Sequence, residues 1–232
     1  MPFPLLAAAV IVGQFTAEGP VPMPWQVTPV SKKVPLTQYR VVRIDGVTGV
    51  EGSANQSMAL LGRAIAVDLA ATPILCWRWR IEAPVAGADM MTKQGDDYAA
   101  RVYVGFDIPD RQLGLGTKFK LSLARRLFSG PIPDAALNYV WDANHPVGTS
   151  VPNAYTDRAQ MVVMQSGTAN AGRWVEQRVN LARDFARAFR GVTGAATLIA
   201  VAVDTDQTKG MARGWFADLH FVAADQACRF PG

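Results

Sequence analysis

Histidine and cysteine are scarce in this 232-residue chain: two histidines, His145 and His220, and two cysteines, Cys76 and Cys228. No histidine is spaced beside the cysteines as a zinc module needs, which argues against a zinc site. One disulfide and two buried thiols are both compatible with so distant a pair, because sequence does not test the geometry. Charge is also sparse. Only 18% of residues are charged, the net charge is +4, and the basic residues alternate with acids, as in Arg40/Arg43/Asp45 and Arg183/Asp184/Arg187. Capture of nucleic acid needs a basic patch or stripe, and none is present. There is no phosphate-binding P-loop and no Gly-x-Ser-x-Gly elbow. Gly114-Leu115-Gly116-Thr117-Lys118-Phe119 begins like a dinucleotide fingerprint but has Phe119 at the third glycine position.

Long apolar runs are missing too. Leu5–Val12 reads LLAAAVIV, far too short to span a bilayer, and no other segment could be transmembrane. The run has the size of an export-signal core or of an N-terminal strand. Against export, no Lys or Arg precedes Lys32, and Phe15-Thr16-Ala17 is a poor cleavage site. The export reading is retained as the expectation, placing the protein in the periplasm or outside the cell.

What is present is a chain half hydrophobic, enough to bury a substantial core. Residues 1–37 read as an apolar and then Pro-rich lead-in, 38–223 as one domain, and 224–232 as a tail. Period-two patterns predict strands at Tyr39–Ile44, Ser57–Leu61, Ala64–Leu69, Ile74–Ile81, Leu137–Trp141, Met161–Met164, Trp174–Val179, Ala196–Asp206 and Trp215–Phe221. A turn near Thr48-Gly49 is expected to return the first of these. In Ile74–Ile81, Trp77, Trp79 and Ile81 share one face, either a platform for sugar rings or, preferably, part of a core. In Trp215–Phe221, Trp215, Ala217, Leu219 and Phe221 are expected opposite Phe216, Asp218 and His220. Phe119, Leu123 and Leu127 suggest one short helix, and Asn180 caps a second with Leu181, Phe185 and Phe189 buried. About ten strands without βαβ alternation make an antiparallel β-sandwich of jelly-roll type.

The polar candidates sit on two stretches. From Gly95 to Asp107 the alternation places Tyr98, Ala100, Val102, Val104 and Phe106 on an apolar face and Asp97, Ala99, Arg101 and Tyr103 on the other. Asp96 should then point away from Arg101. The second stretch is Asp204-Thr205-Asp206-Gln207-Thr208-Lys209-Gly210, whose alternate oxygen ligands suit a hard cation such as calcium. An EF-hand is excluded, because Lys209 and Trp215 stand where glycine and glutamate are required. A looser calcium site and an Asx-type turn both remain open, the turn being preferred, and no metal is assigned. Asp97, Asp204 and Asp206 are the candidate catalytic carboxylates; Arg101, Tyr103, Tyr139, Trp141 and His145 are the candidate ligand-binding residues.

Three segments in order resemble a known family: Trp77-Arg78-Trp79 followed by Gly95 to Val104; Leu137-Asn138-Tyr139-Val140-Trp141; and Asp204 to Thr208 followed by Ala217-Asp218. Together they are similar to the bacterial, usually exported proteins catalogued as domain of unknown function 3047. The resemblance spans about residues 38–222 and implies one domain in an extracytoplasmic setting, with no substrate or cofactor. Three functional readings follow. The first is a non-catalytic glycan- or envelope-binding module. The second is a polysaccharide-active enzyme, hydrolase or lyase, pairing Asp97 with Asp204 or Asp206. The third is a structural salt-bridge network of Asp96, Asp97, Arg101 and Asp206 with no ligand site. Oligomeric state is not readable from the sequence.

Overall fold

Strands whose alternate residues are apolar can hide one face only against a second sheet, and that requirement shapes this chain. The computed structural model describes residues 8–114, 116 and 133–231. In chain order its strands are β1 (Val10–Gly13), β2 (Gln26–Pro29), β3 (Gln38–Ile44), β4 (Val47–Asn55), β5 (Ala59–Ala64), β6 (Ile74–Ile81) and β7 (Arg101–Asp107). Then come β8 (Ala135–Asp142), β9 (Ser150–Asn153), β10 (Thr156–Ser166), β11 (Val175–Asn180), helix α1 (Leu181–Ala188), β12 (Ala195–Ala202) and β13 (Met211–Val222). One sheet runs β11-β6-β13-β4-β3 with β1 also on β13; the other runs β2-β5-β12-β7-β8-β10-β9. The result is the expected mainly-β sandwich, antiparallel except for the parallel β8–β10 pair.

The core lies between the sheets. Trp77 packs on Tyr139 (ring centroids 5.5 Å apart) and Trp79 on Trp141 (5.8 Å), and each pair joins β6 of one sheet to β8 of the other. Trp77 and Trp79 are fully buried, so the core reading of that tryptophan pair is the right one. Helix α1 closes one side. Asn180 Oδ1 accepts from the Arg183 amide at its N-terminus, Phe185 stacks on Phe106 at 4.2 Å, and Gly191 follows with φ +80°.

Several expectations change. The first hairpin turns at Asp45-Gly46, both at positive φ, with Ile44 opposite Val47; it does not turn at Thr48-Gly49. Asp-Gly fits a two-residue turn with left-handed dihedrals, and the residues after it are already β4. Of Ala64–Leu69 only Ala64 is in a strand. Strand β9 forms at Ser150–Asn153, where the alternation predicts no strand. Strand β7 starts at Arg101, so the alternation assumed from Tyr98 does not operate across 96–100. In β13 the register shifts between Ala217 and His220, with Asp218 at φ +55°. This bulge moves Phe216 into the core with Leu219 and Phe221, while Trp215 turns outward against Arg80 and Glu51. The lead-in supplies β1 at the end of its apolar run and β2 from its Pro-rich part; Pro29 is tolerated because β2 is an edge strand. The helix expected around Phe119, Leu123 and Leu127 and residues 5–7 of the apolar run lie outside the described residues.

Trp79→Ala removes a fully buried indole from the inter-sheet contact. It should lower unfolding stability by about 3–5 kcal/mol, read as a lower denaturant midpoint at unchanged slope.

Candidate functional site

Two glycines seat the polar stretches on one another. Gly52 of β4 and Gly214 of β13 are register partners. A Cβ on Gly214 would stand 2.0 Å from the Ala99 carbonyl oxygen, and one on Gly52 would stand 2.6 Å from Val203 Cγ2. Only glycine permits this approach, which sets residues 97–100 and 203–206 side by side. The Asp204 amide then donates to the Tyr98 carbonyl at 3.0 Å, and the Thr205 amide to the Ser57 carbonyl at 3.0 Å.

Arg101 lies at the centre of the cluster and is 3% exposed. Its Nε donates to Asp204 Oδ1 at 2.7 Å, and its Nη2 donates both to Asp204 Oδ2 and, at 2.7 Å, to the Asp96 carbonyl. Its Nη1 is 3.5 Å from Asp96 Oδ1. Asp96 therefore joins Arg101, contrary to the strict alternation, because the strand begins only at Arg101. The guanidinium is also 4.3 Å from the Tyr98 ring and 5.8 Å from that of Tyr103. Burial opposes the Arg101 charge, but Asp204 foremost among its neighbours more than restores it. Burial likewise pushes the Asp204 carboxyl up, with Arg101 pulling it partway back.

The other carboxylates are engaged too. Asp97 is fully buried and accepts from the Gln207 amide at 3.1–3.2 Å and from the Thr208 amide, so it caps the turn over 206–208. Asp206 accepts from Gln207 Nε2 at 2.8 Å and is half-buried; burial and then the Asp97 charge raise its carboxyl. One oxygen from each of Asp97, Asp204 and Asp206 lies within 4.8 Å of the others, which is close enough to share a cation. Both oxygens of Asp204 are already spent on Arg101.

The ligand-binding candidates are not brought together. Tyr103 stands half-buried on the Arg101 face. Tyr139 and Trp141 belong to the opposite face, buried in the core, with Tyr139 Oη bonding Asp184 and Trp141 Nε1 donating to the Gly167 carbonyl. His145 follows β8 and is held by Asp142, with Asp89 3.8 Å away.

A second cluster escaped the sequence reading. Cys76 and Cys228 are disulfide-bonded, with Cα atoms 5.8 Å apart, tying the tail to the outer face of β6. There Arg78 pairs with Asp218 and donates to the Pro231 carbonyl, and Phe230 lies 5.6 Å from the guanidinium. The placement of Cys76 and Arg78 on the face opposite Trp77 was the signal that could have found it.

Arg101→Met should strand the Asp204 carboxylate and cost about 3–5 kcal/mol, whereas the double change Arg101→Met/Asp204→Leu should recover most of that in equilibrium unfolding. For Asp206 the folded-state carboxyl titrates above the unfolded value of 3.8. Its stabilising share is therefore full below about pH 4 and is lost as pH rises through the folded value. Asp206→Asn should match the wild type near pH 4 and exceed it by roughly 0.5 kcal/mol at neutral pH, as denaturation at both pH values will register.

Among solved structures, the family 11 carbohydrate-binding module of the Clostridium thermocellum cellulosomal cellulase Lic26A-Cel5E is similar at TM-score 0.46 and 6% identity, covering 96% of this chain and 98% of that one. The family 30 module of the cellulosomal cellulase CEL9D-CEL44B of the same organism is similar at TM-score 0.42 and 11% identity, covering 95% and 100%. Endoglucanase 3 of Trichoderma harzianum, from family GH12, is similar at TM-score 0.41 and 8% identity, covering 94% and 98%. No curated protein matches the chain. A family model does, from residue 23 to residue 220. That span runs from just before β2 into β13 and takes in both halves of the Arg101 cluster, and the chain belongs to this family, described as Protein of unknown function (DUF3047).

Proposed function

We propose that this protein is a non-catalytic module that binds a glycan or another hydroxyl-rich component of the cell envelope on the outer face of its seven-stranded sheet. The observation that carries this reading is a groove of about 520 Å³ over β5 and β12. Gly62 and Ala200, register partners, floor it, so a ring-thick ligand has room above the sheet. Gln26, Thr28 and Asp107 line it with an amide, a hydroxyl and a carboxylate. Leu60 and Leu198 supply apolar surface for sugar C–H groups. Tyr103, opposite Ala200 on β7, stands beside the floor as an aromatic neighbour. Among the described residues no helix is long and apolar enough to cross a membrane. The disulfide fits an oxidising, extracytoplasmic compartment.

The enzyme reading draws less support from the same geometry. Glycoside hydrolysis needs two carboxyls that reach the scissile bond. Asp97 and Asp204 are fully buried and held by backbone amides and by Arg101, which favours a structural role for that cluster. A calcium ion at Asp97, Asp204 and Asp206 would have to share Asp204 with the guanidinium.

The test is a glycan-array screen of the full chain with and without calcium, followed by calorimetry and product analysis on any hit. Binding without turnover is expected, and Gln26→Ala/Thr28→Ala should weaken it roughly tenfold with the fold intact. Release of shortened products would overturn the non-catalytic reading, and silence across the array would overturn glycan binding.

A further inference from the structure

The disulfide and His220 form one chemical unit. His220 is the register partner of Cys76 across β6 and β13, and Cys228 reaches the same spot from the tail. The two sulfurs and a ring nitrogen of His220 all lie within 4.8 Å of one another. The ring's tautomer is set by its partners. The Asp218 carbonyl can only accept, so His220 Nδ1, 2.6 Å away, carries the proton. Nε2 therefore holds the lone pair and accepts from the Arg229 amide at 3.1 Å, one residue beyond Cys228. A backbone carbonyl on one ring nitrogen, fixing the other as the donor, is how metal-binding histidines are oriented. His220 is 3% exposed and Cys76 fully buried, while Cys228 is half-buried.

We propose that the Cys76–Cys228 disulfide masks a two-cysteine, one-histidine site for a thiophilic divalent cation such as zinc, which forms when the disulfide is reduced. The reductant comes from outside the chain. A phosphine breaks the S–S bond, yields two thiols and becomes a phosphine oxide, with oxygen and protons supplied by water. The cation then displaces one proton from each thiol and takes the two thiolates and Nε2, leaving the fourth tetrahedral position for water. Nε2 exchanges the Arg229 amide for the metal. The sulfurs must separate from bonding distance, and Cys228 can yield because residues 223–231 belong to no strand or helix. Two contacts besides the disulfide hold the tail, Arg78 to the Pro231 carbonyl and Arg178 Nη2 to the Ala224 carbonyl at 2.9 Å. Cys76, 152 residues before Cys228 in a sequence that argued against zinc, thus meets Cys228 and His220 in the fold.

The experiment uses the full chain, reduced with a water-soluble phosphine under argon, desalted and titrated with cobalt(II) and then zinc(II). One cobalt per chain with a thiolate-to-metal charge-transfer band is expected in the reduced protein and none in the oxidised, and zinc should bleach the band. His220→Ala and Cys228→Ser should weaken cobalt binding at least about tenfold, the size of effect that loss of a mere outer-shell partner can produce. A measurement free of variants accompanies these: zinc should slow reoxidation of the reduced wild-type thiols. Absence of the band, equal binding by oxidised protein, unaltered affinity in a folded His220→Ala, reoxidation indifferent to zinc, or loss of near-ultraviolet circular dichroism on reduction would each overturn the proposal.

Discussion

Strand β6 must be covered on both faces, and much of the architecture follows from that. Its inner face carries Leu75, Trp77, Trp79 and Ile81 into the core, and the two indoles meet Tyr139 and Trp141 of the facing sheet. Its outer face carries Cys76 and Arg78, which open water would suit if nothing apolar lay beside them. But Ile74 and Val222 share that face, and the tail covers it with Cys228 and Phe230. The disulfide, the Arg78–Asp218 pair and the His220 bonds all serve that covering. Even so, the Trp77 and Trp79 indole nitrogens are buried without a partner among the described residues, so the contact rests on ring packing.

The bulge at Asp218 links the two faces. Without it, β13 would keep one alternation throughout, and Phe216 could not share the core with Leu219 and Phe221. The extra residue turns Asp218 toward Arg78 and sets His220 opposite Cys76. A local departure from regular pairing therefore places both β13 members of the tail cluster, Asp218 and His220.

At the other site the controlling quantity is burial. Four carboxylates and one guanidinium in solution would be an open acidic patch; the glycine pair at Gly52 and Gly214 draws them inward until Arg101, Asp97 and Asp204 are closed. A buried charge needs compensation: Arg101 and Asp204 supply it to each other as an ion pair, and Asp97 takes it from the Gln207 and Thr208 amides. The open groove of the seven-stranded sheet lies farther along, over the small residues of β5 and β12.

Hydrophobic alternation along the chain was sufficient to indicate the sandwich, the tryptophan face of β6 and the capped helix after Asn180, because these depend on period and local capping. It misplaced Asp96 and the faces of β13, because alternation holds only where a strand is regular, and neither 96–100 nor the bulge is. It also grouped Tyr139 and Trp141 with Arg101. Burial on the opposite sheet face depends on which strands become neighbours, and no local pattern encodes that. The Cys76–Cys228–His220 cluster and the closure of Arg101 were decided by tertiary structure alone. Each rests on a contact between side chains more than a hundred residues apart, Cys76 with Cys228 and Arg101 with Asp204, that register and close backbone approach bring within bonding distance.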